Sequence, residues 1–165
     1  MSDNELFETI TKAICESAVF CQNKLFIQHG AISVYEHSLS VARMSFRLGK
    51  KLRIADLHSL VRAALLHDFF LYDWHTRIFS WHGWMHPVYA AENARKYFNI
   101  SPKEYSLIRT HMWPFTLLHP PQYREGWVIC LADKMVSFVE TVFRRSKRKS
   151  LFKIDNVQLY KNEDF

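Results

Sequence analysis

The stretch LHSLVRAALLHDFF, residues 57–70, spaces its apolar side chains at steps of three and four. Leu57, Leu60 and Ala64 fall on one stripe of a helix and His67 continues it, while Val61, Ala64 and Leu65 lead to Asp68 on the same side. The spacing predicts an amphipathic helix over roughly 54–70 that carries a His-Asp pair into its apolar face. An ionised carboxylate buried without compensation is too costly to persist, so this pair calls for a cation or for dense hydrogen bonding.

The same pattern recurs on either side. Val34, His37, Val41, Met44 and Leu48 share a stripe on a helix expected from about Ser33 to Gly49, which places His37 inside. On a last long helix, from about 123 to 144, Asp133 aligns with Ile129 and Val136, flanked by Ala132 and Phe143. A first helix covers 4–21. An aromatic connection over 72–85 holds Trp74, Phe79, Trp81 and Trp84, and a fourth helix opens at His86-Pro87, where proline suits the first turn. Ser101-Pro102-Lys103-Glu104 is a capping box for a fifth helix that ends near Pro114, with His111 following Leu107 and Ile108 on its apolar side. No stretch alternates with period two for long. The expected architecture is all-α, a single-domain bundle of about six helices over 1–165, with a basic and then polar C-terminal tail at 143–165 to whose part from Ser150 onward no structure is assigned.

Composition narrows the function classes. With 48% hydrophobic and 15% aromatic residues in a chain of 165, the core can be sizeable, and disorder is excluded. No apolar run reaches the roughly 18 residues of a membrane span, and the acidic start (Asp3, Glu5, Glu8) is unlike a signal peptide, so a cytoplasmic protein without a membrane partner is expected. Cys15, Cys21 and Cys130 are odd in number and form no CxxC pair, which reads as reduced residues in or near the core. The net charge of +6 gathers in Lys50, Lys51 and Arg53 and in the run Arg144, Arg145, Lys147, Arg148, Lys149. Cations at helix C-termini account for these placements; nucleic-acid binding through the run stays open but is not favoured.

Three helices each burying an ionisable group, with His86 and His111 at the ends of two more, describe a cage suited to a divalent metal. The segments YEHSLSVA around His37, AALLHDFF around the pair, HPVYAAENA from His86 and CLADKMV around Asp133, taken in order with His111, resemble the HD superfamily of metal-dependent phosphohydrolases. The resemblance covers about residues 30–142. It implies that His37, His67, Asp68 and Asp133 bind one metal and that His86 and His111 bind a second, bridged by Asp68. Four imidazoles and two carboxylates suit iron, manganese, zinc or nickel better than magnesium or calcium. The extra histidines are similar to those of bacterial diadenosine tetraphosphate hydrolases and of HD-GYP cyclic-dinucleotide phosphodiesterases. Against both groups, Leu71 stands where a lysine is usual; against the second, His111 is followed by Met112 and no GYP motif is present.

The resemblance implies hydrolysis of a phosphomonoester or phosphodiester, with nucleotides among the candidate small substrates, by water activated at the metals. No GxSxG elbow or glycine-rich phosphate loop offers another route. Asp68 and His67 are the central catalytic candidates. Arg77 or Lys134 could contact the phosphate, and Asp73, with His75 and His82, could orient ligands or move protons. The tryptophans of 72–85 could stack a base under a lid or simply seal the core. Two further readings stay open: a di-iron oxygenase of the same fold, for which the same cage would serve, and a non-catalytic nucleotide-binding module.

Overall fold

The computed structural model describes residues 1–75 and 82–159, and their side chains except those of 29, 82 and 143–159. Among the described residues there are seven α-helices: α1 (Asp3–Cys15), α2 (Ala18–Cys21), α3 (Val34–Lys51), α4 (Leu57–Leu66), α5 (His82–Phe98), α6 (Pro102–Arg109) and α7 (Arg124–Leu159). A 3₁₀ turn, Gln22–Leu25, and a small hairpin of β1 (Ile27–His29) and β2 (Ile32–Ser33) lie between α2 and α3. The fold is all-α.

Helix starts follow local chemistry. Ser33 caps α3 by accepting from the Glu36 N–H, and the Glu36 side chain returns to the Ser33 N–H at 2.9 Å. Ser101 and Glu104 do the same for α6. Such boxes satisfy two backbone donors that a helix leaves without partners. Ser33→Ala should lower unfolding stability by about 1 kcal/mol, measured by denaturant titration, because α3 loses one of those acceptors.

Several boundaries differ from the sequence reading. The expected first helix breaks at Ser17, whose backbone is extended (φ −68°, ψ 129°), so two short helices replace one. Helix α4 begins at Leu57, behind the Asp56 cap, and stops at Leu66; the His67-Asp68 pair therefore occupies the turn beyond it. His67 keeps helical dihedrals (φ −60°, ψ −33°), which is why the helical spacing still aims it inward. Helix α5 starts at His82 and not at His86, leaving Pro87 inside it, where its missing N–H costs the bond to the Gly83 carbonyl. Helix α6 ends at Arg109, so His111 sits in the turns that follow. The backbone of α7 runs on to Leu159, past the expected end near 144, through the basic run and beyond Ser150, a stretch to which the sequence assigns no structure. The hairpin was not foreseen: its strands of three and two residues are too short to show alternation, and its turn uses Gly30 at φ +63°.

Helix α3 packs on α4 and α7, α5 packs on α6, and α4 contacts α1 and α6. The centre of the core is Leu60, Leu65, Leu66, Phe69, Ile108 and Ile129, all at most 1% exposed. Phe20 joins it through rings of Tyr35 and Phe69, at centroid distances of 5.3 and 5.8 Å. The three cysteines are free, Cys15 and Cys21 half-buried and Cys130 buried. Among the described residues no helix is long and apolar enough to cross a membrane.

Candidate metal centre

The packing of α3 against α4 and α7 brings His37, His67, Asp68 and Asp133 together, and the approach of α5 and α6 adds His86 and His111. All are buried, His37 and His67 completely. Asp68 is the hub. Its Oδ2 lies 3.3 Å from His67 Nε2 and 3.7 Å from His37 Nε2. Its Oδ1 lies 3.4 Å from His86 Nε2 and 3.6 Å from His111 Nε2. Asp133 Oδ1 faces the first pair, 3.3 Å from His37 Nε2 and 3.7 Å from His67 Nε2.

The outer nitrogens of three rings are committed elsewhere. His67 Nδ1 lies 2.8 Å from the Ala64 carbonyl, His111 Nδ1 2.8 Å from the Ile108 carbonyl, and His37 Nδ1 2.9 Å from Glu140 Oε2. Each acceptor draws the proton onto Nδ1 and leaves the Nε2 lone pair for the centre, the arrangement a metal ligand needs. The turn holding the pair is itself clamped, since Asn93 Nδ2 donates to the Phe69 and Phe70 carbonyls. Gln28, on β1, donates to Asp68 Oδ2 at 2.6 Å and so fixes the hub.

The residues fit a divalent ion. His67 Nε2 and Asp68 Oδ1 are buried and make no hydrogen bond. His86 Nε2 and His111 Nε2 stand only 3.1 Å apart, a spacing that asks for a shared proton or a cation. Ligand atoms of His37, His67 and Asp133 fall within 4.8 Å of one another, as do those of His67, Asp68 and His111.

Titration is tuned by these contacts. Burial opposes charge on His37, but hydrogen bonds to Asp133 and Glu140 outweigh it and raise its pKa to about 9. For His67 burial is likewise outweighed, by the Asp68 charge and then by Asp133, and the pKa rises to about 10. Burial alone would raise Asp68, yet the His67 charge draws it far below the usual carboxylate range; Asp133 is lowered in the same way by His37 and His67. His111, buried and close to the His67 and His86 charges, drops to about 3.

Without metal, His37 and His67 are therefore protonated at neutral pH and a ligating metal must displace both protons. Loading metal at pH 7–8 should release protons, those of His37 and His67 among them, read with an indicator in weak buffer, and affinity should climb with pH until about 9–10. The raised values carry a matching stability term. In the metal-free protein it is fully present below the unfolded histidine pKa of about 6.5 and is lost as pH rises through 9 and 10.

Of the remaining candidates, Lys134 lies close by, 3.8 Å from Asp133 Oδ2 and donating to the His111 carbonyl at 3.4 Å. Asp73 is not brought to this cluster: it is exposed, and its Oδ1 accepts from the His75 N–H at 3.0 Å. Arg77 and the ring of His82 lie outside the described residues, as do Phe79, Trp81 and the side chains of 144–149. Two partners escaped the sequence reading. Glu140 sits two helical turns after Asp133 on α7, and that spacing was a usable signal; Gln28, on a strand too short to predict, gave none.

A cleft of about 530 Å³ opens onto this cluster, with Asp68, His86, His111, Asp133 and Lys134 in its wall. No curated protein and no solved structure matches the chain. A family model described as HD domain matches residues 34–136, a span that runs from the start of α3 past Asp133 and takes in every residue of the cluster. With the matched span covering more than half of the chain, the protein belongs to the HD domain family, the helical domain of the metal-dependent phosphohydrolase superfamily.

Proposed function

We propose that the protein hydrolyses a small phosphate ester, a monoester or diester, using two divalent ions drawn from iron, manganese, zinc or nickel. The observation that carries this reading is the division of Asp68: Oδ2 faces His37 and His67, and Oδ1 faces His86 and His111. A carboxylate placed between two imidazole pairs is suited to bridge two ions, with Asp133 completing the first set. Bound there, such ions supply Lewis acidity that makes water a usable nucleophile near neutral pH and offsets charge on the phosphoryl oxygens.

The chain's own groups do the rest. The carbonyls of Ala64 and Ile108 and the Glu140 carboxylate hold the rings in the tautomer that points Nε2 inward. Gln28 holds the Asp68 carboxylate in place. Lys134, half in solvent at the wall of the cleft, is the cation we assign to the phosphate of the substrate, and its long-range charge favours anions.

Protein purified without added metal or chelator should contain two ions per chain by elemental analysis and should hydrolyse members of a phosphate-ester panel. Absence of turnover, with every one of the four metals resupplied, would overturn the reading; iron with oxygen-dependent chemistry and no hydrolysis would transfer it to the oxygenase class.

A further inference from the structure

Part of the cleft wall is not explained by the metal cluster. Beyond His111 its wall is Met112, Pro114 and Phe115, together with Gly83 and Trp74. Phe115 is 50% exposed, so it does not seal the core. It is nevertheless held in place. The Trp84 ring packs on it with centroids 4.8 Å apart, and a Cβ built on Gly83 would come within 3.2 Å of its Cε1, so the ring lies close against the α5 backbone and a larger residue at 83 would push it by a few tenths of an ångström. The turns that present the two groups are continuous and hydrogen-bonded: Trp113 N–H donates to the Thr110 carbonyl and Phe115 N–H to the Met112 carbonyl. One hydrogen-bonded segment thus offers His111 to the buried cluster and an aromatic ring to the cleft beside it.

An apolar ring kept half in water next to a polar centre loses that unfavourable exposure when a ligand covers it. A flat ring does so best, by offset or edge contact with Phe115, while the anionic end of the same ligand reaches Lys134 and the ions held by Asp68, His86 and His111. Building on the phosphohydrolase reading, we propose that Phe115 makes the site select phosphate esters whose organic part carries a flat, uncharged ring.

The test uses non-hydrolysable probes on the metal-loaded protein, so that it reads binding and not turnover. Inorganic phosphate, methylphosphonate and phenylphosphonate are titrated by calorimetry. All three should bind, with phenylphosphonate about tenfold tighter than methylphosphonate, the scale of one well-placed aromatic contact. Phe115→Ala should erase that advantage and leave the other two affinities unchanged, and Phe115→Tyr should retain it. Should Phe115→Ala fail to bind methylphosphonate, Phe115→Leu, which keeps apolar bulk without a flat ring, replaces it with the same expectation. Equal affinity for the two phosphonates, or an advantage that survives loss of the ring, overturns this inference while leaving the phosphohydrolase reading intact. Failure of all three anions to bind overturns both.

Discussion

On the proposed phosphohydrolase reading, replacing Asp68 by alanine should strip the protein of metal and lower turnover by roughly 10³-fold or more, because the Lewis acidity that would activate water leaves with the ions. Both Asp68 oxygens are used, each within 3.7 Å of two imidazole Nε2 atoms, the position from which the proposed bridge would be made. The loss should not be one of folding. The His67 pKa is raised by the Asp68 charge and by Asp133 against the effect of burial; without Asp68 that pKa falls, His67 can lose its proton, and whatever charge it keeps still faces Asp133, so no unpaired imidazolium is left buried. Circular dichroism should therefore show the helical content unchanged. Asp68→Asn is the sharper variant, since it keeps the shape and one oxygen for Gln28 while removing the charge. Two ions per chain with full turnover in either variant would refute the bridging role.

That Asp68 could be singled out from a sequence reflects how strongly a buried carboxylate constrains its surroundings. His37, His67, Asp68, His111 and Asp133 were all legible because the helical period fixes the direction of a side chain even when the helix boundary is misplaced. His67 is the instructive case: α4 stops one residue before it, yet its dihedrals stay helical and the stripe remains valid. His86 was legible for the wrong reason, since it lies in the second turn of α5 and not at its start. Capping boxes at Ser33 and Ser101 located two helix starts because they are local chemistry. What failed depends on tertiary context. The hairpin that carries Gln28 is too short to have a period, and the aromatic face around Phe115 takes its meaning from Gly83 and Trp84, some thirty residues away in the chain.

Glu140 is where that same helical logic extends furthest. It lies seven residues after Asp133 on α7, on the same side, so one helix presents a candidate ligand and, two turns on, the group that orients another. Its Oε2 is 2.9 Å from His37 Nδ1, and both side chains are buried, at 6% and 0% exposure. Glu140→Ala should weaken metal binding about 10–100-fold, as loss of a partner behind a ligating imidazole does elsewhere, equivalent to about 1.4–2.7 kcal/mol. Competition with a chelator of known affinity measures it. The pH dependence separates orientation from general destabilisation. Glu140 is one of the groups that lift the His37 pKa to about 9, so its removal should lower that pKa and reduce the protons released on metal loading near pH 8. Glu140→Gln keeps an oxygen that can accept from Nδ1 but no charge, and should fall between wild type and alanine in affinity while sharing the reduced proton release. An alanine variant with unchanged affinity and unchanged proton release would mean that His37 is held by its packing between α4 and α7 alone.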